Sequence, residues 1–189
     1  MSIDLESRVR RLEDRHEISE VVIRYATAID RADWAMFADC LTETVHIDFS
    51  EAGMPAADFP REAFQAFARD ALSGFTARQH ISPNHIVTFD AADADRAVCE
   101  SYMYAQHYLE GAEGGDFFLM RGSYTQHLVR TPDGWRIERL IQHLGWPEAT
   151  PTCRTRHVRE PIHEIISPLP GWLRPAGTGP VPPRLFTGL

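Results

Sequence analysis

The sequence predicts an α+β fold in which N-terminal helices pack on one face of a curved antiparallel sheet. Apolar residues recur every three or four positions up to about Gly74, the spacing of helices that bury a single stripe. From Arg78 onward the period falls to two, and long strand-like runs are separated by short polar turns. Nothing alternates as βαβ and no GxGxxG occurs, which disfavours a dinucleotide-binding fold.

Leu5, Val9 and Leu12 open an apolar stripe that Ile18, Val22, Tyr25 and Ile29 continue at steps of 4, 3 and 4, so a core-facing helix should run to about Asp30. Asp33 stands where it can cap a second helix carrying Trp34, Phe37 and Leu41. A short strand, VHIDF, is expected at 45–49. The segment PREAFQAFARDALSGF places Pro60 in a first helical turn and Gly74 at the end, the usual helix asymmetry. Four strands should follow at 79–89, 96–110, 117–130 and 135–146. The turns DAADAD, GAEGGD and TPDG join them into an antiparallel meander.

Composition changes after Trp146. Nine of the 13 prolines lie between Pro147 and Pro183, whereas 24 of the 27 acidic residues precede them. The expected organisation is one domain over 1–146 and a Pro-rich extension over 147–189, extended because prolines at this spacing forbid regular helix. Ile162, Ile165, Ile166, Trp172, Leu185 and Phe186 make that extension too apolar for a plain linker.

All 19 basic residues are arginine, which removes Schiff-base chemistry, a pyridoxal-phosphate anchor and a P-loop lysine. The net charge of −8 argues against nucleic acid as a partner. Cys40, Cys99 and Cys153 are odd in number and far apart, which fits neither a disulfide framework nor a thiolate zinc site. The N-terminus has no apolar run of signal-peptide type, and no run of ~18 apolar residues could span a bilayer. A cytoplasmic location without membrane contact is expected.

Several of the nine histidines fall on strands, namely His80, His85, His107, His127 and His143. No HExxH or close pair fixes a metal geometry among them, so neither metal nor cofactor is expected. Two-residue parity puts Cys99, Ser101, Met103, Ala105 and His107 on one face of their strand, a mixture suited to a pocket. Asp30 follows the last stripe residue, and two readings stay open: a helix-end cap, or a carboxylate held against the sheet to orient an imidazole. Likewise His80 can be structural or a base.

The strings VVIRYATAIDRADWAMFADCLTETVHIDF, ARQHISPN and RTPDGWRIERL resemble the SnoaL-like branch of the nuclear transport factor 2-like superfamily, over about residues 5–146. The most specific parts are Tyr25, Asp30 and Trp34 at their spacing, and His80 at the start of a long strand. The resemblance extends to scytalone dehydratase, bile acid 7α-dehydratase and hexachlorocyclohexane dehydrochlorinase. It implies a cone-shaped α+β barrel, a base dyad of Asp30 and His80 with Tyr25 as hydrogen-bond donor, and pocket positions at Trp34, Phe49, His107 and Tyr124. Where scytalone dehydratase has two carbonyl-polarising tyrosines this chain has Ile29 and Phe49. The first-helix lysine of the dehydrochlorinase is absent.

The function so implied is a cofactor-independent, dehydratase-type lyase acting on a small hydrophobic cyclic, polyketide-like or steroid-like hydroxy-carbonyl compound. An isomerase or cyclase using the same dyad is the nearest alternative. A non-catalytic ligand-binding or oxygenase-associated subunit is the other, favoured by the apolar tail. The resemblance also implies a homotrimer built on the outer sheet face, with the tail along a neighbouring subunit or over the pocket mouth.

Overall fold

A computed structural model describes residues 4–111 and 116–149. Helix α1 (Leu5–Arg31) starts at Asp4, whose carboxylate accepts the Ser7 amide N–H at 3.0 Å, and ends at Ala32 in the left-handed region. Helix α2 (Trp34–Asp39) is capped as expected, Asp33 accepting from the Met36 N–H at 3.0 Å. Leu41 does not continue that helix. It opens strand β1 (Leu41–Phe49), because the Cys40 carbonyl accepts the Ile137 N–H at 2.8 Å and Leu41 sits beside Ile137 in the sheet.

After a 3₁₀ turn over 50–52 comes β2 (Met54–Pro60), a strand the sequence did not announce. Only Met54 and Phe59 of it are buried, so no alternation is visible, and its prolines are tolerated on an edge strand. Helix α3 (Arg61–Leu72) then starts one residue later than expected, with Pro60 as its cap residue. The strand expected over 79–89 is two, β3 (Ala77–Ile81) and β4 (Ile86–Phe89), both paired antiparallel to β5. Pro83 has no N–H to give to a ladder and Asn84 adopts φ 63°, so the chain steps out there while the Pro83 carbonyl accepts from the Tyr102 N–H at 2.9 Å.

Strands β5 (Arg96–Tyr108), β6 (Phe117–Thr131) and β7 (Gly134–Ala149) form the expected antiparallel meander. The sheet order is β2-β1-β7-β6-β5-β3, with β4 also on β5. One pair departs from the antiparallel pattern, β1 running parallel to β7. The sheet is open, ending at β2 on one side and β3 on the other, so the expected barrel does not close. Strand β7 passes residue 146 and runs to Ala149. The remainder of the Pro-rich extension, including Trp172, Leu185 and Phe186, lies outside the described residues.

Curvature is built into the β6/β7 pair. Arg121 faces Trp146 but Gly122 faces Leu144, leaving Gly145 as the extra residue of a bulge. A Cβ on Gly122 would lie 1.9 Å from the His143 carbonyl oxygen, so the bulge requires glycine there.

The inner face of the sheet carries Cys99, Ser101, Met103, Ala105 and His107 of β5, all buried. Ile18, Val22, Tyr25 and Ile29 of α1 close over that face. An ion-pair strut fixes the helix: Arg130 bonds Asp14 of α1 and Asp95 (2.8 Å), and its guanidinium lies 4.6 Å from the ring centroid of buried Trp135. N-terminal to Asp14 the expected stripe is not core, for Leu5, Val9 and Leu12 are exposed. In this stretch of α1 it is a polar residue that packs on the sheet, the Arg11 guanidinium lying 4.6 Å from the Phe89 ring centroid. Among the described residues no helix is long and apolar enough to cross a membrane.

Candidate active site

The last turn of α1 and strand β3 bring Asp30 and His80 into contact, as the spacing of the helix stripe requires once Ile29 is buried. Asp30 Oδ1 is 2.7 Å from His80 Nδ1. Both carboxylate oxygens also accept from the His80 backbone N–H, at 3.0 and 2.9 Å. Asp30 therefore holds the strand as well as the ring. Side-chain exposure is 10% for His80 and 23% for Asp30, so the pair is shielded but reachable. A carboxylate accepts only, so the Nδ1 proton lies towards Asp30 and the lone pair of Nε2 points away. Among the described residues Nε2 has no hydrogen-bond partner.

His107 stands edge-on to His80, with ring centroids 5.2 Å apart. It is itself enclosed by Phe75 at 4.6 Å and Phe118 at 5.6 Å, two residues the sequence reading did not single out. Phe75 lies just beyond α3 and Phe118 is the register partner of His107, a relation that needs the strand pairing to be known.

Tyr25, Trp34, Phe49 and Tyr124 gather in a second, aromatic group. Tyr25 packs on Phe37 (5.1 Å), Phe37 on Trp34 and Phe64, and Phe49 bridges Phe64 to Tyr124 at 6.3 and 6.5 Å. Burial, reinforced by the neighbouring Tyr124 and Cys40, raises the Tyr25 phenol well above its ordinary value. Burial also pushes Tyr124 up to about 12, against the hydrogen bond from Gln142 Nε2 at 3.4 Å. Both phenols thus stay protonated and can only donate or accept hydrogen bonds at neutral pH. Trp34, Phe49, Met120 and Leu144 are partly buried and pack against the core.

The buried polar residues Ser101, Gln126 and Gln142 share the inner face and were not foreseen as site residues. Ser101 belongs to the parity set of β5, whereas the glutamines sit in apolar strings that gave no signal. The remaining strand histidines are dispersed. His85 is held between Ser19 (2.6 Å) and the Ser82 carbonyl (2.6 Å), and His143 bonds Thr125 at 3.1 Å on the outer face. Among the described residues no group of three or more His, Cys, Asp or Glu could hold a metal ion.

Comparison with known proteins fits this arrangement. A SnoaL-like domain matches residues 10–141. An uncharacterised protein of Mycobacterium tuberculosis is 26% identical over 135 residues, 71% of this chain and 87% of that protein. The crystal structure of the Kfla4162 protein of Kribbella flavida is similar at 32% identity and TM-score 0.71, covering 76% of this chain and 99% of the other. The fold is also that of hexachlorocyclohexane dehydrochlorinase LinA-type3 of Novosphingobium barchaimii, at 15% identity, TM-score 0.64, and 75% and 92% coverage. Helices first, a curved open sheet, and a matching domain over most of the chain lead to one conclusion: this protein belongs to the SnoaL-like domain family, within the nuclear transport factor 2-like superfamily.

Proposed function

We propose that the protein is a cofactor-independent lyase that eliminates water from a small hydrophobic hydroxy-carbonyl compound, cyclic, polyketide-like or steroid-like. The observation that carries this reading is the 2.7 Å contact of Asp30 with His80, which leaves Nε2 as the free base on the inner face. His80 Nε2 takes a proton from the carbon next to the carbonyl, and Asp30 stabilises the imidazolium so formed. The C–O bond to the neighbouring hydroxyl breaks as the double bond forms. The proton held by His80 leaves with that hydroxyl as water, so the dyad returns to its starting state.

Tyr25, kept neutral by burial, donates a hydrogen bond to the carbonyl or the leaving hydroxyl. Trp34, Phe49, His107 and Tyr124 form the walls. General acid–base catalysis supplies about 10²–10⁴-fold, and positioning by the walls must supply the rest. The test is a mass-spectrometric screen of hydroxylated ketones, steroids and polyketide-like aromatics with the purified protein. A product lighter by one water supports the elimination; a product of unchanged mass formed by the same residues makes the enzyme an isomerase or cyclase.

A further inference from the structure

We infer that Arg78 is the anchor for a carboxylate on the substrate, so that the compound taken by this site is an anion. The inference rests on reading the inner face as a substrate pocket and adds the class of substrate. Arg78 lies two residues before His80 on β3, and side chains two apart share one face of a strand. Its register partner on β5 is His107, the histidine that stands edge-on to His80. Arg78 thus shares the face of β3 that carries His80, and its register partner His107 is flanked by the Phe75 and Phe118 rings.

The bonding of Arg78 is lopsided. Its Nη1 donates to the Leu72 carbonyl at 2.8 Å, at the end of α3. Among the described residues its buried Nε has no hydrogen-bond partner, and no acidic side chain pairs with it. Among the described residues its side chain bonds only through Nη1, which leaves the edge formed by Nε and Nη2 without an acceptor. That edge carries two parallel N–H donors at the spacing of the two oxygens of a carboxylate. A helix-end role accounts for the Nη1 bond alone, because any cation near Leu72 would serve it. It leaves the buried Nε–H unexplained, and a desolvated donor without an acceptor is unfavourable until a ligand supplies one. The surrounding charge sharpens the argument. A chain of net charge −8 repels anions, so an anionic substrate would need a cation that no protein carboxylate neutralises, placed where the ligand binds.

The test uses the full-length protein and a matched pair of probes, 2-naphthoate and its neutral isostere 2-naphthamide, with binding followed by calorimetry. Wild type should bind the naphthoate at least tenfold more tightly. Arg78→Gln should abolish that preference while leaving naphthamide binding within about twofold. Arg78→Lys keeps a cation at the α3 end but lacks the fork, and should lose most of the preference; it serves where Arg78→Gln fails to fold. His80→Ala should retain the preference, so a failure of the proposed elimination is distinguishable from a failure of the anchor. Equal binding of the two probes by wild type, or a preference that survives in both Arg78 variants, overturns the proposal and reduces Arg78 to a helix-end cation.

Discussion

Asp30 bonds His80 at two places, its ring Nδ1 at 2.7 Å and its backbone N–H at 2.9–3.0 Å. One carboxylate therefore fixes both the position of the strand and the direction in which the ring's free nitrogen points. Asp30→Asn keeps an oxygen for one donor but cannot stabilise an imidazolium, so turnover should fall about 10²–10⁴-fold with little loss of fold. Asp30→Ala leaves a partly buried N–H without its acceptor and should in addition cost about 1–3 kcal/mol. His80→Ala should match the kinetic loss, and the double variant should be no worse than the single ones, since residues acting as a unit fail together. Turnover within twofold of wild type in either single variant would falsify the dyad.

Tyr25 allows a cleaner separation of chemistry from stability. Its hydroxyl makes no hydrogen bond among the described residues, although the side chain is buried. Tyr25→Phe should therefore leave the urea midpoint unchanged or slightly higher, and lower turnover by roughly five- to tenfold through loss of one hydrogen bond to substrate. A large stability loss without a kinetic one would assign Tyr25 to packing alone.

Much of this site was legible because it rests on local periodicity. Ile18, Val22, Tyr25 and Ile29 set the buried face of α1, and that face fixes where Asp30 emerges. Two-residue parity grouped His107 with Cys99, Ser101, Met103 and Ala105, and the structure shows that this is the buried face. What could not be read depends on strand pairing. Gln142 lies beside Tyr124, and Arg78 beside His107, only because of register. Edge strand β2 buries two residues of seven, so its sequence carries no period, and the open sheet follows from edges whose pairing no local pattern encodes. Leu5, Val9 and Leu12 misled for the converse reason: a helical stripe reports an amphipathic helix, not the presence of a surface to cover it.

The bulge at Gly145 makes Gly122 a position where one methyl group matters. Gly122→Ala drives a Cβ to 1.9 Å from a backbone oxygen that only a strand shift can relieve, and should cost about 3 kcal/mol or more. Gly145→Ala meets the Arg121 carbonyl at 3.1 Å and should cost much less. Urea unfolding of the two variants orders them; equal losses would mean that the bulge relaxes freely.

Alkaline pH should destabilise the fold through its buried thiols and phenols, the chain having no lysine to titrate in that range. Burial raises Cys40 and Cys99 from 9.0 to about 11 and Tyr124 from 10.0 to about 12, and Tyr25 rises too. These groups hold their protons more tightly folded than unfolded. Their stabilisation is complete below about pH 9 and is lost as pH climbs towards 12. Urea midpoints measured from pH 8 to 11 should fall steadily, and Tyr124→Phe should flatten the upper part of the curve. A midpoint constant across that range would show that the phenols and thiols ionise without unfolding the core.

The outer sheet face predicts assembly. Tyr102, Ile86, Phe117 and Trp146 are each at least half exposed, and Arg121 lies 5.7 Å from the rings of both Tyr104 and Trp146, so a broad apolar and aromatic surface faces away from the helices. Patches of this kind mark interfaces more often than they face water. We propose a homotrimer formed through this face, with the Pro-rich extension, which lies outside the described residues, serving the assembly or the site. Proline restricts the chain before docking as well as after it, so a Pro-rich segment has little freedom to lose, which favours that role. Light scattering should give three times the chain mass for the full-length protein. Tyr102→Glu should dissociate it, because a charge placed in a buried contact has no partner. Truncation after Ala149 should weaken the assembly or alter turnover. A monodisperse monomer for the full chain would sink the interface, and an unchanged oligomer with unchanged activity after truncation would leave the tail without this role.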